Sequence, residues 1–135
     1  MASLKTAAAP ILVWVLALGA LALPGAGQAH HSFAMFDQTK VVTIKGIVKE
    51  LQWTNPHAAL WFYAETPAGD PGDLWTIELT SPGNLTRAGW TRQVLKAGDK
   101  VTVDISPMRD GQHGGTLKRV VVAATGKELT FSFGK

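Results

Sequence analysis

The sequence predicts one all-β domain, a small barrel of five to six strands with a single short helix between the third and fourth. Three observations predict it. Short segments alternate apolar and polar residues with period two, the pattern of half-buried strands. Clusters of Pro, Gly, Asn and Asp separate them. Helix-start chemistry, a capping Ser followed by Pro, stands out at Ser81-Pro82.

Ahead of that domain the chain opens with one cation, Lys5, and no acid. An apolar run from Ile11 to Leu23 follows, and then the small-residue stretch Pro24-Gly25-Ala26-Gly27-Gln28-Ala29. This is the layout of a secretory signal. The run is shorter than the roughly 20 residues a spanning helix needs, and no basic stop-transfer cluster follows it, so cleavage and no stable membrane span are expected. Gly27 and Ala29 provide the small side chains a signal peptidase requires, which sets residues 1–29 as leader and His30 as the first mature residue. A cut one or two residues away is the alternative.

Residues 30–38 form an arm before the barrel, which occupies 39–135. Strand one is predicted over Thr39–Trp53, with Val42 and Ile44 on one face. Beyond Gly46 the apolar set becomes Ile47, Leu51 and Trp53, a slip in parity of the kind a bulge or sharp bend produces. Asn55-Pro56 then turns the chain. Strand two, Ala58–Thr66, sets Leu60, Phe62 and Ala64 against Trp61, Tyr63 and Glu65. After the polar turn Pro67–Asp73, strand three, Leu74–Leu79, carries Trp75, Ile77 and Leu79 on one side. Ser81 caps a short helix with Pro82 at its first position, and Thr91 caps a second short turn that runs to Lys96 before Gly98. Strand four is Val101–Ile105. Strand five, Leu117–Ala123, is nearly continuous in apolar residues, as suits a strand covered on both sides, and Leu129–Phe133 adds a sixth. Three strands, a helix and two strands follow the order of the OB-fold, in which the helix plugs one end of a Greek-key barrel. A seven-stranded sandwich fits poorly into the 106 residues left after the leader.

Composition narrows the function classes. The chain has no cysteine, so an exported domain of this size must be held by its core and its closed sheet alone. Loss of the leader removes Lys5 and leaves 12 cations against 10 acids, dispersed among one another, which gives no basic stripe for a nucleic acid. No paired carboxylates, activated nucleophile or phosphate loop is present, so no enzyme is predicted. Ser32, His31 and Asp37 are hydrolase-triad residue types, but nothing like a nucleophile elbow surrounds the serine.

The histidines are the candidate metal ligands. His30 and His31 open the arm, His57 ends the loop between strands one and two, and His113 lies in the glycine-rich loop Pro107–Gly115 between strands four and five. In an OB-fold those two loops flank the binding face, so His57 and His113 can converge. Cleavage after Ala29 would give His30 both an α-amine and an imidazole, a bidentate chelator suited to copper(II), and His57 or His113 would complete it. A cut after Gly27 would instead place His30 third, in an amine, amide and imidazole site for copper or nickel. Imidazole suits copper, zinc and nickel, and the affinity order favours copper. Met35 and Met108 add thioethers for copper(I). Against this, a loop histidine is most often solvated or caps a turn, and no HxxxH or CxxC spacing is present.

Trp61 and Tyr63, on the outer face of strand two, are candidates to bind a small ligand, although strand aromatics more often pack under an arm or tail, and Arg92 is a further ligand-binding candidate. Ser81–Asn84 with Arg87 and Arg92 offers an anion site at a helix start, a feature a plain cap explains equally.

The segments His30-His31-Ser32-Phe33, Trp53-Thr54-Asn55-Pro56-His57, Arg87-Ala88-Gly89-Trp90-Thr91-Arg92, Gly98-Asp99 and Arg109-Asp110-Gly111 together resemble the small exported bacterial proteins of domain of unknown function family 6152. The resemblance covers essentially the whole mature chain. It implies an exported β-barrel and supplies no catalytic residues. Strand order alone gives a more distant likeness to periplasmic OB-fold proteins linked to stress responses. The expectation is a periplasmic or secreted binding module that takes copper, another divalent ion or a small ligand. The alternative is an envelope accessory domain that docks a protein partner and holds no metal.

Overall fold

The structure, a computed structural model, describes residues 31–130, so the predicted leader, His30 and the end of the predicted sixth strand beyond Thr130 lie outside the described residues. Six strands form one sheet: β1 (Val42–Gln52), β2 (Ala59–Glu65), β3 (Pro71–Glu78), β4 (Lys100–Pro107), β5 (Gly114–Val122) and β6 (Glu128–Thr130). Their order is β3-β2-β1-β4-β5-β6, and a parallel pairing of β3 with β5 closes the first five into a barrel. This is the OB-like topology expected from the order of elements. The inner faces supply a core that includes Val48, Leu60, Phe62, Ile77, Val103, Ile105 and Val120, all at 2% exposure or less. A barrel without disulfides depends on this core and on closure of its ladder, which removes most free edges.

β1 is long because it serves two partners. Its first half pairs with β4, Val42 through Ile47, and its second half with β2, Gly46 through Gln52. The parity slip is real but lies further along than Gly46. Val48 faces Phe62 and Glu50 faces Trp61, so Lys49 is the extra residue of the bulge. The inward set is accordingly Ile44, Gly46 and Val48, followed after the bulge by Leu51 and Trp53; Ile47 is not part of it. Gly46 is needed for close approach. A Cβ there would overlap the ring of Phe62 and stand 2.5 Å from the carbonyl oxygen of Tyr63.

β5 begins three residues before its predicted start, at Gly114-Gly115, a pair that resembles loop sequence. The glycines are the closure itself: Thr76, Ile77 and Glu78 of β3 pair with Gly114, Gly115 and Thr116. A side chain at Gly115 would stand 2.5 Å from the carbonyl oxygen of Ser106 and 2.8 Å from Cδ1 of Ile105. Three strands can crowd there only where one lacks side chains.

Between β3 and β4 lies α2 (Pro82–Arg87), capped by Ser81, whose Oγ accepts the N–H of Asn84 at 3.4 Å. Leu85 and Trp90 enter the core from this segment, and the Trp90 indole N–H donates to the Thr130 carbonyl at 3.1 Å, fastening β6. The helical turn predicted from Thr91 to Lys96 does not form. That stretch is a series of turns in which the Asp99 carboxylate accepts the N–H of Lys96 at 2.8 Å.

The arm is structured. It opens with a single helical turn, α1 (His31–Ala34), and continues into a bridge between Phe36 and Met108. Asp37 N–H donates to the Pro107 carbonyl at 2.8 Å, Arg109 N–H to the Met35 carbonyl at 2.9 Å, and Arg109 Nε to the Ala34 carbonyl at 3.1 Å. Ser106, fully buried, donates its hydroxyl to Gln38 Oε1 at 3.2 Å. Period-two reasoning had no handle on this segment, because its order comes from backbone bonds to the β4–β5 loop.

Candidate functional site

The short parallel seam between β3 and β5 is flanked by the arm and by two loops, and a cavity of about 370 Å³ opens between them. β3 contributes Thr76 and Glu78, β5 contributes Gly114 and Gly115, and the start of β2 contributes Ala59. His57 lines it from the β1–β2 loop, Met108, Gln112 and His113 from the β4–β5 loop, and Met35 and Phe36 from the arm. The loops thus bring His57 and His113 to one pocket, as the order of elements allows. His30 and the side chain of His31 lie outside the described residues, but the backbone of His31 opens the helical turn that ends just before Met35.

His57 and His113 each face a carboxylate through the same nitrogen. His57 Nδ1 sits 2.5 Å from Glu78 Oε1, and His113 Nδ1 lies 3.9 Å from Asp73 Oδ2, at the outer limit of an ion pair. A proton on Nδ1 facing an acid leaves the lone pair on Nε2, the arrangement by which outer carboxylates orient metal-binding imidazoles. His113 is also stacked on Trp75, with ring centroids 4.9 Å apart and planes inclined by 16°. Both rings are therefore held, although both histidines remain solvent-accessible.

Sequence reasoning missed Glu78 and Trp75 as parts of this site. Trp75 enters the sequence reading only as one of the apolar residues on one side of strand three. Glu78 does follow the alternation of β3, two residues after Thr76 on the face opposite Ile77, but no local signal says that His57 ends up beside it. Among the described residues, no three of His, Cys, Asp and Glu gather closely enough to hold a metal ion.

The other candidates fall elsewhere. Trp61 and Tyr63 are half-buried on β2 and do not line the cavity. Lys49 Nζ lies 5.8 Å from the Trp61 ring centroid, and Trp61 Nε1 donates to Gln52 Oε1 at 3.4 Å, so one aromatic face is already engaged. Arg92 is exposed in the turns after Trp90, also away from the cavity lining. At α2, Arg87 donates to Asn84 Oδ1 at 2.8 Å and Ser81 is an ordinary cap. The Asp37 carboxylate accepts the Thr39 hydroxyl at 2.6 Å and pairs with Lys40 at 3.2 Å. These contacts, the hydroxyl foremost, lower its pKa to about 2 and make it a turn anchor rather than a triad member.

Fold and pocket together define a small OB-like β-barrel with a ligand-sized cavity at its closing seam, between the β1–β2 and β4–β5 loops. The chain belongs to the Family of unknown function (DUF6152), whose model matches residues 18–119, a span that includes the arm and every residue lining the cavity. Neither the curated proteins nor the solved structures yield a match.

Proposed function

We propose that the mature protein is an exported, periplasmic or secreted, non-catalytic binding module that holds copper(II) at the seam cavity. One observation carries the reading: His57 and His113, on different loops, line the same pocket, each with Nδ1 toward a carboxylate. Two imidazoles are an incomplete set for copper(II), which favours tetragonal nitrogen and oxygen coordination. His30 is the proposed source of the remainder. Cleavage behind Ala29 would give His30 an amine and an imidazole, and the arm is bonded to the β4–β5 loop that also carries His113. Zinc or nickel would use the same donors, and the usual affinity order ranks copper(II) above both.

The test uses the processed protein, its first residue established by intact mass. Copper(II) titration followed by electron paramagnetic resonance should show one site with nitrogen hyperfine structure, altered in His57→Ala and in His113→Ala. A spectrum without nitrogen ligation, or one that both variants leave unchanged, overturns the reading. In that event the accessory-domain alternative is the one to pursue, through periplasmic pull-down with Trp61→Ala and Tyr63→Ala.

A further inference from the structure

The cavity holds a second kind of donor. The chain has three methionines; Met1 opens the leader, and the other two, Met35 and Met108, both line this one cavity. Gap-filling is the usual role of methionine in a core. It does not describe these two, since Met35 is 51% exposed and neither residue belongs to the core cluster.

Met108 is held in place. Its N–H donates to the Gly114 carbonyl at 3.0 Å, and its sulfur lies so close over Gly114 that a Cβ there would stand 2.8 Å from Sδ. The glycine at the start of β5 therefore leaves room for a thioether as well as for the seam. Met35 is positioned through its backbone, its carbonyl accepting the N–H of Arg109 at 2.9 Å. Beside them, stacking on Trp75 fixes the plane of the His113 ring.

Among the described residues, no three side chains of His, Cys, Asp and Glu form a metal-binding group on their own. Two thioethers and an imidazole lining one cavity are a soft set, and soft sulfur ligands select copper(I) among the metals that imidazole also binds. We propose that the cavity binds copper(I) through the sulfurs of Met35 and Met108 with a nitrogen of His113. This rests on reading the cavity as a copper site and extends it to the reduced ion. The module then takes copper in either valence: the oxidised ion on nitrogens, the reduced ion on sulfurs and one shared imidazole.

The experiment is an anaerobic titration of the processed protein with copper(I) against the chromophoric chelator bathocuproine disulfonate, with Met35→Leu, Met108→Leu and the double variant in parallel. Leucine keeps the volume and apolar character of methionine, so packing is conserved while the sulfur is lost. The wild type should retain one equivalent of copper(I). Each single variant should bind at least ten times more weakly, the double variant should release all of it, and the copper(II) resonance spectra of all variants should match the wild type. X-ray absorption at the copper edge should show sulfur scatterers in the wild type and none in the double variant. Met35→Leu, at an exposed position, keeps the test decisive even if Met108→Leu fails to fold. Leucine variants that compete like the wild type overturn the proposal, as does a wild type that binds copper(II) but not copper(I). Failure with both valences removes the copper reading of the cavity altogether.

Discussion

Replacing Gly46 by alanine tests the central packing of the barrel independently of any ligand. The added methyl would overlap Cδ2 of Phe62, approach Cε2 of the same ring to 2.8 Å and approach the Tyr63 carbonyl oxygen to 2.5 Å. Carbon contacts are comfortable at about 3.5–4.0 Å, so something must move by roughly an ångström. Neither neighbour yields easily. Phe62 is fully buried, and Tyr63 is paired with Ile47 in the β1–β2 ladder. Overpacking of this kind costs about 1–3 kcal/mol and occasionally more, and a backbone neighbour puts this site at the upper end. For a domain of this size, ~3 kcal/mol lowers Tm by about 12–24 °C. Gly83 is the control. It lies within α2, does not have a positive φ, and the nearest atom to a Cβ placed there is Arg87 Nη1 at 3.9 Å. Gly83→Ala should therefore gain about 0.5–1 kcal/mol from helix propensity and raise Tm by several degrees. Thermal unfolding by circular dichroism of the two variants reads both effects. A Gly46→Ala protein that melts within two or three degrees of the wild type would refute the close approach of β1 and β2.

Three further outcomes are expected. Glu78→Gln keeps the shape but removes the charge facing His57 Nδ1, so copper(II) affinity by calorimetry should fall about 10- to 100-fold with Tm nearly unchanged; an unchanged affinity would separate the ion pair from the site. Arg109→Ala removes the side-chain bond to the Ala34 carbonyl, worth about 1 kcal/mol, and should speed amide exchange in the arm about fivefold while the barrel strands keep their protection. Asp37 has its pKa lowered to about 2 by the Thr39 hydroxyl and by Lys40, so its contribution is fully present above the ordinary carboxylate range and fades as pH falls from about 4 to about 2. The Tm difference between the wild type and Asp37→Asn should accordingly be largest at neutral pH, shrink as pH falls from about 4 to about 2, and vanish only below that.

Alternation made the barrel legible. Leu60 and Phe62 on β2, Ile77 on β3 and Val101 and Val103 on β4 are buried as period two demands, and Ser81-Pro82 starts the helix. Glycine misled where its purpose was proximity. Gly46 reads as a bulge, yet Lys49 is the bulged residue; Gly114-Gly115 reads as loop, yet it forms the seam of the barrel. Both errors have one cause: close packing between strands distant in sequence leaves the same signature as a turn, a missing side chain. The site was half legible. Fold order alone predicted that His57 and His113 share a face, since it fixes which loops are neighbours. The partners of those histidines, Glu78 and Trp75, sit at ordinary strand positions and depend on register, which one sequence does not reveal.

The location of the cavity follows from how the barrel closes. The antiparallel partners among β1 to β5 share ladders of six or seven residue pairs, but β3 and β5 meet in parallel over only three, and two of those use glycine. A seam so short and so poor in side chains cannot fill its own surface, so the covering groups must come from the nearest loops and the arm. Those are the segments that carry His57, His113, Met35 and Met108. The arm is fixed through bonds at Ala34, Met35, Asp37 and Gln38, all downstream of the expected cleavage point. Cleavage there would leave these anchors covalently untouched. It would turn the backbone amide at His30 into an amine with a free lone pair. Copper(I) on the thioethers needs no such amine, whereas copper(II) on nitrogen does, so the two valences should respond differently to processing even though they share one cavity.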